Sequence, residues 1–311
     1  MTSIVIISRG RRRSLEETII SLKENSNPDE IVVVESTNTP ISLKGVKYIH
    51  IPFDMGNFSV QRNIGVKEAS GDIIVFVDDE TKVFKGWLEK MTEPIIKGET
   101  NMVFGAVFPW IEKKKKFLGF FEGVLGIHSA GLIHKEYSHR VSLFSTCNLA
   151  VKKEILIENP FDESLKHGAE DTELSIRLLK KYGEGFVLYK HDAVVLRKPK
   201  SFKSYLGWFI RRGKGDMDVS IKHKQIKWLI LSSISLKFLP ILLISILQPY
   251  FLLLFLMWYL YVLKKYGFAL SFAKKINLSL SKSLLYFLLF PFFYTFVNLI
   301  FDTGRLLRFL K

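Results

Sequence analysis

Short, β-branched apolar runs alternate with stretches of helical spacing through the first hundred residues, and nothing else in the chain narrows its architecture as far. Residues 3–8, 30–34, 46–51 and 73–77 are the apolar runs. Each has the length and composition of a buried strand. Between them, Ser14 reads as an N-cap with Glu16 and Glu17 in the first turn, and Leu15, Ile19 and Leu22 follow at helical spacing. Residues 61–69 and 87–96 give two further helices. This β-α-β alternation predicts an α/β fold, a mostly parallel sheet flanked by helices. Ligands of open parallel sheets bind at the carboxyl ends of the strands, so the residues at those ends carry the functional reading. After residue 100 the pattern loosens. Strands are expected within 102–107, 143–151 and 186–196, with a loop and a helix over 160–182.

From residue 228 the composition changes. Residues 228–247 are apolar except for polar residues such as Lys237, which is costly at bilayer depth unless it snorkels or meets a phosphate or a partner. Gln248-Pro249 then breaks the run, residues 250–263 form a short second stretch, and residues 284–301 a third, with Pro291 inside. Lys222, Lys224 and Lys227, Lys264 and Lys265, and Arg305, Arg308 and Lys311 flank these stretches. Basic flanks and aromatic content favour membrane helices over a buried helical core. The expectation is a hairpin of two spans, with the third stretch re-entrant or interfacial. The formal net charge of +15 is then read as an affinity for anionic membrane lipids. No nucleic-acid-binding module is present, so nucleic acid is not an expected partner. With Cys147 as the one cysteine, neither an intrachain disulfide nor a cysteine-based zinc site can form. Met1 leads straight into the first strand without the basic n-region of a signal peptide, which predicts a multi-pass protein of the cell membrane with residues 1–215 in the cytoplasm and residues 216–311 as juxtamembrane and anchoring helices.

The acidic cluster Asp78-Asp79-Glu80 ends the apolar strand at 73–77. Hard oxygen ligands there suit Mg²⁺ or Mn²⁺; a strand-ending turn with capping carboxylates accounts for them equally well. Its surroundings add order. Gly56-Asn57 and Arg62-Asn63-Ile64-Gly65 precede it, then Ala69-Ser70-Gly71-Asp72, and Gly86-Trp87-Leu88 follows. In this order the chain resembles the family 2 glycosyltransferases, whose fold is the nucleotide-diphospho-sugar transferase fold GT-A. The resemblance extends over residues 2–215. Ser8 and Arg9 stand at the end of the first strand, and Glu35 stands where the family places an Asp that contacts the base or ribose. Ser145-Thr146-Cys147-Asn148-Leu149-Ala150 resembles another family strand. His167-Gly168-Ala169-Glu170-Asp171-Thr172-Glu173-Leu174 resembles the stretch that supplies the catalytic base.

The resemblance implies an inverting enzyme that takes a nucleotide-diphosphate sugar as donor and a lipid-linked or other glycan as acceptor. It implies Asp171 as general base beside Glu170, and donor contacts from Ser8, Arg9, Glu35, Arg62, Asp78, Asp79 and Arg197. It places Mg²⁺ or Mn²⁺ at Asp78 and Glu80. Glu35 has a plainer reading as an exposed strand-end residue, Glu170-Asp171 as a capping pair at a helix N-terminus, and Asn148 as a turn-stabilising amide. Two departures from the family pattern stand out. Glu80 replaces the usual Asp, and Arg197 stands where many members place a metal-binding His; Arg cannot bind a cation but can pair with a diphosphate. The basic-aromatic run at 112–121 reads either as a membrane-surface element or as a solvated loop beside a core-facing helix. Residues 202–214 read as an interfacial helix. Competing readings are transfer to a polyprenyl phosphate, a processive synthase, and a catalytically silent membrane scaffold that keeps the fold.

Overall fold

The computed structural model describes residues 1–111, 116–126, 128, 132, 135–227, 233, 236 and 252–310. They divide into two compact units, Met1–Trp110 with Gly126–Lys198, and Ile111–Leu125 with Pro199–Lys311. The boundary expected at 215 falls inside a helix of the second unit.

The first unit is built on one mixed sheet. Its strands are β1 (Thr2–Ser8), β2 (Glu30–Ser36), β3 (Lys47–Ile51), β4 (Ile73–Asp78), β5 (Thr81–Lys82), β6 (Met102–Pro109), β7 (His139–Val141), β8 (Asn148–Lys152) and β9 (Val187–Arg197). They lie in the order β3-β2-β1-β4-β8-β6-β9-β5, with β7 on β9. β1, β2, β3 and β4 pair in parallel, and β6 pairs in parallel with β9. β8 runs antiparallel between β4 and β6. No periodicity in 143–152 announces that reversal, because a strand buried on both faces reads the same in either direction.

Helices cover both faces. α1 (Arg12–Asn25) and α3 (Trp87–Ile96) share a core with Ile4, Ile6, Val33 and Val75, through Leu15, Leu22, Trp87 and Met91. On the other face α2 (Phe58–Glu68), α5 (Lys153–Glu158) and α6 (Glu170–Tyr182) pack Val66, Ile155 and Leu174 against Val5, Val32, Val34 and Phe76. α2 starts earlier than its apolar spacing suggests, because the Asn57 side chain accepts from the Val60 amide at 2.8 Å and caps it. α1 starts at Arg12 without a side-chain cap; Gly10, at φ 79°, turns the chain before Ser14 is reached.

In the second unit α4 (Lys116–Leu125), α7 (Phe202–Lys222), α8 (Leu252–Lys265), α9 (Ala269–Lys275) and α10 (Leu280–Phe309) pack together. Phe120 and Phe121 of α4 are fully buried, and Phe121 stacks on Phe293 with ring centroids 4.1 Å apart. For this half of the basic-aromatic run, the core-facing reading holds; residues 112–115 lie outside the described residues. α7 and α10 cross at two glycines. A Cβ on Gly213 would meet the Phe301 carbonyl oxygen at 2.0 Å, and one on Gly304 the Ile210 carbonyl oxygen at 2.1 Å. Arg305 and Arg308, expected at lipid headgroups, pair with Asp216 (2.8 Å) and Asp218 of α7. Among the described residues α10 alone is long and apolar enough to cross a membrane, and α8 with α9, bent by 45°, would make a second if the pair is one span. The expected hairpin's first arm, residues 228–247, with Lys237, lies outside the described residues apart from 233 and 236.

Candidate functional site

The strand ends of the first unit bring together residues distant in sequence. Register places Ser8 beside Glu35 and Ile7 beside Asp78. Arg197, last in β9, pairs with Pro109 on one side and Thr81 on the other. A bulge opposite Gly105–Ala106 sets where β9 ends. Asn148, 0% exposed, holds it by donating to the carbonyls of Ala106 (3.0 Å) and Ala193 (2.8 Å) while accepting from Trp87 Nε1 (3.1 Å). Its amide is thus satisfied inside the fold, which favours the structural reading of that residue.

Two arginines organise the acidic cluster. Arg197 donates from Nε to Asp78 Oδ2 at 2.7 Å and from Nη2 to Glu80 Oε2 at 3.3 Å. Its Nη1 lies 2.9 Å from His128 Nε2. Arg11 forks onto Asp79, with Nε–Oδ2 at 3.0 Å and Nη2–Oδ1 at 2.7 Å, and its Nη1 reaches Glu80 at 3.3 Å. Ser8 Oγ also donates to Asp79, at 2.8 Å. Burial would raise the pKa of Asp78, but Arg197 above all, then His128 and Arg62, outweigh it and hold the carboxyl well below its usual range. For Asp79 burial prevails over Arg11 and the carboxyl is pushed up. Cys147 donates its thiol hydrogen to Asp78 at 3.2 Å, and burial followed by the Asp78 charge pushes the thiol up.

The second acidic motif opens α6. Gly168 and Ala169 both have positive φ, 91° and 69°, so the chain turns sharply into Glu170 and Asp171 in the first helical turn. Glu170 Oε1 accepts from Arg62 Nη1 at 2.6 Å, and both side chains are 7% exposed. Arg62 also faces the Phe161 ring, 5.6 Å from its centroid. Arg62 thus pairs directly with Glu170, and its charge also helps to lower the Asp78 carboxyl. Asp171 is buried, and its Oδ1 accepts from the Thr172 amide at 2.8 Å. Arg177, four residues after Glu173, pairs with it and with the Pro160 carbonyl.

The other expected donor residues lie at or just beyond the ends of β1 and β2. Glu35 is 1% exposed and accepts from Tyr48 Oη at 2.7 Å, so it is no exposed strand end. Arg9 stands over Phe53 (4.4 Å) and within 5.9 Å of Phe58. Arg11 and His128 have no part in the sequence reading. Arg11 was hidden in a run of arginines with helical neighbours, and no local spacing marks His128.

Asp78 and Glu80, expected as metal ligands, are spanned by one guanidinium. Among the described residues no three His, Cys, Asp or Glu side chains converge closely enough to hold an ion. In this arrangement the donor set does not fit Mg²⁺ or Mn²⁺.

Residues 3–118 match the family model described as glycosyl transferase family 2. The succinoglycan biosynthesis protein ExoM of Rhizobium meliloti is 24% identical over 228 residues, covering 65% of this chain and 68% of that protein. The GalNAc(5)-diNAcBac-PP-undecaprenol beta-1,3-glucosyltransferase of Campylobacter jejuni is 26% identical over 227 residues, 66% of this chain and 71% of that protein. Among solved structures, the mannosyltransferase PcManGT of Pyrobaculum calidifontis, in complex with GDP-Man and Mn²⁺, superposes with a TM-score of 0.56 at 14% identity, covering 99% of this chain and 86% of that one. At that identity the likeness is one of fold.

Proposed function

Because this chain carries a glycosyltransferase family 2 domain with the GT-A fold, we propose that it moves a sugar from a nucleoside-diphosphate donor to a hydroxyl of a lipid-linked or similar glycan, with inversion at the anomeric carbon. The observation that supports this best is the pair of acidic motifs, Asp78-Asp79-Glu80 at the end of β4 and Glu170-Asp171 opening α6, with Arg62 of α2 paired to Glu170 and its charge felt at Asp78. The nucleoside lies along β1 and β2, where Glu35 offers a buried carboxylate oriented by Tyr48. The diphosphate meets the positive charge of Arg197, at the end of β9, and of Arg11, just ahead of α1. Asp171 takes the proton of the acceptor hydroxyl. The acceptor oxygen forms its bond to the anomeric carbon from the face opposite the diphosphate, and the bond to the phosphate oxygen breaks with its electron pair leaving on the nucleoside diphosphate. Glu170, fixed by Arg62, orients the acceptor side.

A polyprenyl phosphate is already ionised and needs no base, so a carboxylate at Asp171 favours a hydroxyl acceptor. The relative that is named as acting on an undecaprenol-linked glycan and the apolar helix α10 support an acceptor presented at a membrane. The test is nucleoside diphosphate release from a panel of UDP- and GDP-sugars with purified protein and lipid-linked glycan. Asp171→Asn is expected to lower turnover by about 10²- to 10⁴-fold while nucleotide binding persists. Unimpaired turnover would remove the base from this reading and favour the polyprenyl phosphate acceptor. Absence of release with every donor would favour the silent scaffold.

A further inference from the structure

The Arg197 guanidinium occupies the place between Asp78 and Glu80 where a divalent ion was expected, and three features fix it there. Its three nitrogens each face a different partner: Asp78 at 2.7 Å, Glu80 at 3.3 Å and His128 at 2.9 Å. The residue is 4% exposed. Its backbone is held on both edges, paired with Thr81 and Pro109, and its carbonyl accepts from the Trp110 amide at 2.7 Å. The side chain therefore springs from a strand locked into the sheet, not from a loop.

The spacing suits a guanidinium and not an ion. A first-row ion or Mg²⁺ draws its oxygen and nitrogen ligands to about 2.0–2.2 Å of one point. A planar fork spreads its partners round a wider rim. The second guanidinium, Arg11, serves the same cluster from the other side through Asp79 and Glu80. The charge that a metal would bring to three clustered carboxylates is supplied here by two arginines.

We propose that Arg197 is the built-in cation of the donor site, so that this enzyme binds its nucleoside diphosphate and transfers sugar without a divalent metal ion. The inference rests on the donor site assigned under Proposed function. The guanidinium neutralises Asp78 and Glu80, so the diphosphate can approach them without like-charge repulsion, and it stabilises the negative charge that gathers on the leaving diphosphate oxygen. Asp78 and Glu80 then act as positioning residues, aiming Arg197 and not ligating an ion.

The experiment uses the full-length protein in detergent, titrated calorimetrically with UDP and GDP in EDTA and again with MnCl₂. The expected result is an affinity for one nucleotide that differs by less than about threefold between the two conditions, against the tenfold or more that losing a charge-assisted contact brings. Arg197→His is expected to weaken binding in EDTA by about tenfold or more and to regain it with Mn²⁺. Wild-type binding that appears only with Mn²⁺ overturns the proposal and leaves the donor site standing. No binding of either nucleotide under both conditions overturns the donor site and this inference with it. The wild-type comparison needs no variant, so misfolding of Arg197→His does not shield the proposal. Arg197→Lys supplies a check, since a charge without the fork should restore part of the affinity and none of the metal dependence.

Discussion

Arg62 entered the sequence reading as a donor contact within Arg62-Asn63-Ile64-Gly65, yet its nearest partner is Glu170, 108 positions on. Such a pair is legible only once the fold has closed. The sequence placed the carboxylates at strand ends correctly because that depends on local alternation. It could not say which cation each carboxylate faces. Removing one member of a buried ion pair leaves an uncompensated charge, so Arg62→Met should cost about 3–5 kcal/mol, and adding Glu170→Gln should recover much of it. Thermal unfolding of the two single variants and the double variant checks this, and additive losses would argue against the pair. Asp78 supports a pH-dependent prediction. Its folded pKa is depressed by Arg197 against burial, so its contribution is complete above the ordinary carboxylate pKa of about 3.9 and fades as the pH falls through and below it. The melting-temperature gap between wild type and Asp78→Asn should narrow steadily as the pH is lowered below about 5. A gap that widens in acid would reverse the assigned direction.

Among the elements, the parallel strands and their covering helices were readable because each is buried in the way its own composition demands. The reversal at β8 and the bulge in β9 were not, since both are settled by partners: β8 by the gap between β4 and β6, the bulge by Asn148 reaching Ala106 and Ala193. The entry to α6 was half legible. Gly168 announces a turn, but Ala169 at φ 69° does not. A left-handed residue with a Cβ costs about 1–2 kcal/mol, so Ala169→Gly should raise stability by up to about 1 kcal/mol. Its effect on turnover then reports whether the tight entry helps to aim Asp171. The crossing of α7 and α10 is tighter still. With the Ile210 carbonyl oxygen 2.1 Å from the Cβ that Gly304 lacks, Gly304→Ala should force the helices apart and cost about 1–3 kcal/mol, read as a lower unfolding temperature. An unchanged temperature would mean that the crossing is loose.

For the chain as a whole, composition shifts abruptly to Leu and Phe after residue 228, whereas the second unit already begins at Pro199 and takes in Ile111–Leu125. Composition did not settle which basic residues meet lipid: Arg305 and Arg308 carry the same charge as Lys264 and Lys265, but Asp216 and Asp218, some ninety positions earlier, pair with them. Charge near an apolar helix is therefore a weak guide unless the acids that could claim it are counted too. The apolar stripe of α10 remains the sharpest test of membrane attachment. Leu284, Leu285, Leu288, Phe292 and Phe296 are exposed in the protein alone, a contiguous apolar surface of the sort that calls for a covering layer. The one native cysteine makes the measurement clean, for Cys147 is buried and its thiol is held protonated by burial and by Asp78, so it should stay unlabelled in the folded protein. A Leu288→Cys variant is then the only reactive site. In sealed vesicles a membrane-impermeant maleimide should leave it unlabelled, and detergent should expose it to rapid labelling. Equal labelling before and after detergent would place α10 in water, and the membrane-presented acceptor would lose its physical support.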